Sequence, residues 1–169
     1  MALPDEEGVP YGRQLTERAL ADPDGSALTV IARRGGETTL TWLALERLAN
    51  QWARALQFAA VTPESIVALS IPNSVELVAA ALATWKLGAV PVPMRWDLPD
   101  WEQRRLLEVI GPSFVLTEAN VAETAARAAV LADTALPDAV SPAVNGICSS
   151  GSTGLPKIIL NTAPARWTP

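Results

Sequence analysis

The chain has 169 residues, which suits one domain, and 49% of them are hydrophobic, enough for a packed core rather than wholesale disorder. Its net charge of −5 and acidic pI speak against a nucleic-acid partner. The absence of histidine excludes His-based triads, His metal sites and a His general base, and a single cysteine, Cys148, excludes an intrachain disulfide and a Cys-rich zinc site.

The acidic start, Met-Ala-Leu-Pro-Asp-Glu-Glu, lacks the basic and apolar regions of a signal peptide. The most apolar stretch, 75–94, is interrupted by Glu76, Lys86, Pro91 and Pro93, so no membrane span is expected. Together with the lone thiol, these features predict a cytoplasmic location.

After a lead-in over residues 1–9, the pattern predicts a helix over 11–21, with Leu15, Ala19 and Leu20 on its apolar face. Asp22-Pro23-Asp24-Gly25 stops it. Two strand-like runs, 27–32 and 37–41, flank Gly35-Gly36 and read as a hairpin. Thr41 is placed to cap the next helix. There Leu45, Leu48, Ala49, Trp52, Ala53 and Leu56 form an apolar stripe, opposite a polar face of Glu46, Arg47, Asn50, Gln51, Arg54 and Gln57.

A βαβ rhythm follows. Residues 65–71 read as a buried parallel strand. Asn73 is positioned as an N-cap with Glu76 three residues on, opening a helix over 74–87 that is apolar nearly all round and ends at Gly88. The strand at 89–94 holds two prolines, which predict a sheet edge or a short strand. A helix from Pro99 points Trp101, Leu106, Leu107 and Ile110 at the core and stops at Gly111-Pro112. Asp97, Asp100 and Glu102 suit its N-terminal dipole. A strand at 113–117 and an Ala-rich helix at 121–131 come next. Residues 133–145 read as a linker, and 146–148 and 158–160 as strands. Trp42, Trp52, Trp85 and Trp101 are expected in the core, and Trp96 and Trp167 at the surface. The alternation predicts an α/β fold, a mostly parallel sheet with helices on both faces and an N-terminal β-hairpin.

Residues 149–157 carry the chemistry. Ser149, Ser150, Gly151, Ser152, Thr153, Gly154 and Lys157 combine two glycines, four hydroxyls and one ammonium. Glycines let several backbone N–H groups converge on one concavity, and hydroxyls and a lysine add donors and positive charge. A polyphosphate fits such a nest. The stretch is not a Walker loop, because Gly154 is followed by Leu155-Pro156, and it lacks the third glycine of a dinucleotide fingerprint. A Gly/Ser stretch can also be a flexible surface linker. The flanking strand-like runs and the closing lysine favour the nest.

Residues 150–157, Ser-Gly-Ser-Thr-Gly-Leu-Pro-Lys, closely resemble the phosphate-loop signature of the adenylate-forming superfamily, which holds acyl-CoA synthetases, peptide-synthetase adenylation domains and luciferases. Stretches 39–50, 67–77 and 85–93 are similar to that family in the same order, so the resemblance covers about residues 10–161. It implies a partial N-terminal domain of an AMP-forming acyl-CoA ligase. Such an enzyme uses ATP with Mg²⁺ to turn a carboxylic acid into acyl-AMP, then forms a thioester with coenzyme A. By the same resemblance Ser150, Gly151, Ser152, Thr153 and Gly154 donate to the β- and γ-phosphates and Lys157 pairs with their oxygens. The stretch 92–99 inclines the reading to an acyl-CoA ligase. The alternatives are an adenylation domain that loads a carrier-protein thiol, or a non-catalytic module that binds phosphate or a partner.

The family usually has glycine where this chain has Ile158, a β-branched residue that favours a strand at once. The expected organisation is an N-terminal helix and first hairpin strand over 1–36, a βαβ subdomain over 37–132, a linker over 133–145 and a cut-off phosphate-loop hairpin over 146–169. No catalytic residue and no metal ligand is assigned within the chain, and it is expected to be inactive alone. A sheet cut partway is expected to expose an edge and to favour self-association. Cys148 reads as a small buried apolar residue.

Overall fold

A computed structural model describes residues 8–32, 35–149 and 157–168. At the centre are three parallel strands, β4 (Ile66–Ser70), β5 (Val90–Pro93) and β6 (Phe114–Thr117), in the order β5-β4-β6. The crossovers are α3 (Val75–Lys86), which joins β4 to β5, and α4 (Asp100–Ile110), which joins β5 to β6. Strand β4 alternates strictly between two cores. Val67, Leu69 and Ile71 face one with Trp52, Leu56 and Ala83, whereas Ala68 faces the other with Val92, Leu106 and Ile110. The α/β expectation therefore holds, with helices on both faces.

The predicted elements form where propensity and packing agree. Helix α1 (Tyr11–Ala21) ends at Asp22, where the predicted stop begins. Strands β2 (Ser26–Ile31) and β3 (Glu37–Thr41) pair antiparallel, as the hairpin reading required. Thr41 then caps α2 (Trp42–Phe58), its hydroxyl accepting from Ala44 N–H at 3.2 Å. Helix α5 (Val121–Ala129) packs against α2 beside the sheet. Along β5, Val90 N–H donates to Ser65 O, just before β4, and Met94 N–H, just past β5, donates to Leu69 O. Pro91 and Pro93 occupy the alternate positions, whose nitrogens point away from that partner, so two residues without an N–H cost the ladder nothing.

Four expectations are corrected. Ser74, not Asn73, caps α3, its hydroxyl accepting from Leu77 N–H at 3.2 Å. Trp101 is 60% exposed, because α4 buries the Leu106 and Ile110 stripe and Trp101 falls well round the helix from it. Leu20 is 78% exposed, one step past the face set by Gly12, Leu15 and Ala19. Glu46 and Asn50 of the α2 polar face are buried rather than solvated.

Glu46 is buried against Lys86 and Thr16, and Asn50 is covered by the segment 131–138, which runs along α2 as a strap. Leu131 O accepts from Gln51, Asp133 O from Asn50, and Thr134 O from Arg54 at 2.8 Å. Arg47 pairs with Asp133, and Arg13 with Asp138. Two short strands, β1 (Val9–Pro10) and β9 (Arg166–Trp167), pair antiparallel and bring the two ends of the described chain together, a contact with no local sequence signal. No helix among the described residues is long and apolar enough to cross a membrane.

Candidate functional site

Strands β7 (Asn145–Ser149) and β8 (Lys157–Asn161) form an antiparallel hairpin. Alternation splits their side chains between two faces. Cys148 and Ile158 pack inward on the core of Val92, Met94 and Leu106, while Ile147 and Ile159 point outward at 59% and 60% exposure. Gly146 permits the close approach of β7 to β5, since a Cβ there would lie 2.8 Å from Val92 Cγ2. Ile158 is inside β8 and opposite Cys148, as a β-branched residue at that position should be.

Of the sequence-predicted site residues, Ser149 ends β7 and Lys157 opens β8, and the two are register partners. Lys157 is exposed. Ser150, Gly151, Ser152, Thr153 and Gly154 lie outside the described residues. Gly146 sits beside Val92, and Cys148 shares a cleft with Met94. The Ser149/Lys157 end of the hairpin thus lies at the carboxyl end of the parallel strands, where open α/β sheets receive their ligands. The cleft is about 470 Å³ and is walled by Met94, Arg95, Leu98, Glu102, Ile147 and Cys148. Arg95 forks onto Asp97 with two 3.0 Å bonds, and that hydrogen bonding pushes the guanidinium pKa up. Burial pushes the Cys148 thiol up, so it is a poor nucleophile; it is half-buried rather than fully buried.

A second polar cluster escaped sequence reasoning. Lys86, in the otherwise apolar α3, lies 2.8 Å from Glu46 Oε2 with both side chains under 8% exposed. Its ammonium also donates to Gly12 O and Thr16 Oγ1, and Glu46 Oε1 accepts from Thr16 and Asn50. Burial lowers the pKa of Lys86 against the opposing pull of Glu46. The signal in the sequence was the lone lysine on an apolar helix, whose charge requires a buried partner. The space beside it is about 10 Å³, room for at most one water. The cluster therefore ties α1, α2 and α3 together and admits no substrate.

Among the described residues no three acidic, thiol or imidazole groups gather as a metal site.

The profile of the family described as AMP-binding enzyme matches residues 15–165. The chain belongs to that family. It is 30% identical over 159 residues to the probable non-canonical nonribosomal peptide synthetase CymA of Salinispora arenicola, covering 94% of this chain and 2% of that protein. The N-terminal domain of FACL13 from Mycobacterium tuberculosis superposes with a TM-score of 0.78 at 25% identity, over 91% of this chain and 44% of that one. A Brucella canis acyl-CoA synthetase shares the fold with a TM-score of 0.78 at 20% identity, over 95% and 34%. The chain spans about a third or less of the length of the curated relatives it matches. The α/β scaffold described above is thus that of the N-terminal part of an adenylate-forming enzyme.

Proposed function

We propose that the chain is the amino-terminal part of an AMP-forming acyl-CoA ligase and that its task there is to hold the polyphosphate of ATP. The observation that carries this is the pairing of Ser149 with Lys157 at the ligand end of the sheet, which brackets the Ser-Gly-Ser-Thr-Gly run between two strands. In this reading the hydroxyls of Ser149, Ser150, Ser152 and Thr153 and the backbone N–H groups of Gly151 and Gly154 donate to β- and γ-phosphate oxygens. Lys157, exposed at the hairpin mouth, supplies a compact positive charge. Their work is positioning and charge stabilisation as the carboxylate attacks the α-phosphorus of ATP, forming the acyl adenylate while pyrophosphate leaves. Coenzyme A then receives the acyl group. The stretch 92–99 and the fold shared with the Brucella canis protein support an acyl-CoA ligase. The likeness to CymA supports a second reading, an adenylation domain that serves a carrier-protein thiol.

Calorimetric titration of ATP into the chain and into Lys157→Ala tests the phosphate-binding claim. Loss of one charge-assisted contact, ~1.5–3 kcal/mol, weakens affinity about tenfold or more. Identical isotherms for the two proteins sink the reading. The chain alone gives no carboxylate-dependent pyrophosphate exchange, and a measured exchange rate overturns that part. In the longer enzyme, thioester formation on coenzyme A rather than on a phosphopantetheinylated carrier decides between the two acceptors.

A further inference from the structure

Strand β7 packs along β5, yet no hydrogen-bond ladder joins them, since β7 pairs with β8 and β5 with β4. Pro91 and Pro93 leave β5 without an N–H at two positions of the edge away from β4. The height at which the hairpin sits along the sheet is therefore set by something other than a ladder. Two contacts do this among the described residues. Gly146 is seated on Val92, where a Cβ would lie 2.8 Å from Cγ2, so a slide by two residues drives Val144 or Cys148 into that wall. A slide by one residue turns Ile147 inward and Cys148 outward. Two residues before Gly146, Val144 O accepts from the indole N–H of Trp85 at 2.7 Å, at the short end of the range for such bonds. Val144 N–H in turn donates to Asn161 O at the base of the hairpin.

Trp85 is itself held on two sides. Its ring meets Tyr11 edge to face, with centroids 5.0 Å apart. The next residue, Lys86, is locked onto Glu46, Thr16 and Gly12, which fixes the turn of α3 that aims the indole. Tyr11 N–H donates to Ala165 O, and Ala165 N–H to Ser141 O, so the chain before β7 and after β8 is tied to the same corner.

We propose that Trp85 is a positioning residue: its indole N–H, donated to Val144 O, sets the register of the β7–β8 hairpin along β5 and so the place where Ser149 and Lys157 are presented. The consequence for ATP rests on the function proposed above, whereas the register does not.

The native thiol reports the seat of the hairpin, because Cys148 packs inward on Met94 and Leu106 in this register. Trp85→Phe keeps a ring against Tyr11 and removes the donor. Iodoacetamide labels Cys148 of this variant several-fold faster than the native chain, at unchanged circular dichroism. ATP titration shows roughly three- to tenfold weaker binding, the worth of one neutral hydrogen bond. Ser74→Ala, which removes a hydrogen bond at the other end of the same helix, moves neither readout. Labelling of Trp85→Phe at the native rate overturns the proposal. So does equal acceleration in Ser74→Ala, which reports a general loosening of α3. Faster labelling with ATP affinity unchanged, while Lys157→Ala weakens it, overturns the positioning role. ATP binding that no substitution weakens sinks the phosphate reading instead, and the labelling rates still decide whether Trp85 sets the register.

Discussion

Lys86 and Lys157 are the only lysines of the chain, and they are used in opposite ways. Lys86 sits under three helices, every donor spent on Glu46, Thr16 and Gly12. Lys157 stands in solvent at the mouth of a two-stranded hairpin. The contrast separates two meanings of a lysine. A buried charge with a shifted pKa and a complete set of partners is architecture here, whatever its resemblance to a perturbed catalytic group. An exposed ammonium beside a glycine- and hydroxyl-rich run is the one we propose meets a ligand.

Breaking the buried side gives the largest effect. Glu46→Ala leaves an ammonium buried without its counter-ion and costs about 3–5 kcal/mol, read as a lowered urea midpoint. Adding Lys86→Met to it restores part of that loss. A double variant as unstable as the two single losses summed would contradict the pairing. Next in size is Gly12→Ala. The new Cβ would meet Lys86 Cγ at 2.9 Å and its Cα at 3.2 Å, so α1 and α3 are pushed apart at about 1–3 kcal/mol.

The start of α3 gives a smaller, paired test. Ser74→Ala removes the cap on Leu77 N–H and costs about 1 kcal/mol, whereas Asn73→Ala stays within about 0.5 kcal/mol. Equal losses would restore Asn73 as the cap. On the hairpin side, Lys157→Ala leaves the urea midpoint where it was, because exposed side chains contribute within about 0.5 kcal/mol. The smallest effect is kinetic. Burial holds the Cys148 thiol above its ordinary pKa, so at pH 8 less of it is thiolate than in a free cysteine. Iodoacetamide labels the folded chain more slowly than the urea-unfolded chain, and equal rates would place that thiol in solvent.

Much of the fold was legible because local and global preferences agree. The 3.6-residue stripe of α2, the turn at Asp22–Gly25 and the two prolines of β5 each pointed to the element that formed. Strand β8 takes in Ile158 one residue after it opens at Lys157. What could not be read depended on distant partners. Glu46 and Asn50 look like a solvated helix face until Lys86 and Thr16 meet the first and the 131–138 strap lies across the second. The pairing of Val9 with Trp167 has no periodicity to announce it. Trp101 and Leu20 show the limit of apolar identity alone, since a large hydrophobe beside a stripe is not thereby in it. The proposed site was approached from the other side. Its residue types suggested a phosphate ligand for 149–157, and the structure adds the hairpin register that pairs Ser149 with Lys157.

Hydrogen exchange along the hairpin tests the central claim most directly. With ATP present, amides of the peptide spanning 149–157 are protected, those of α1 and α2 around Glu46 are unchanged, and Lys157→Ala abolishes the protection. Exchange at 149–157 that ATP leaves untouched, or protection that survives Lys157→Ala, would contradict it.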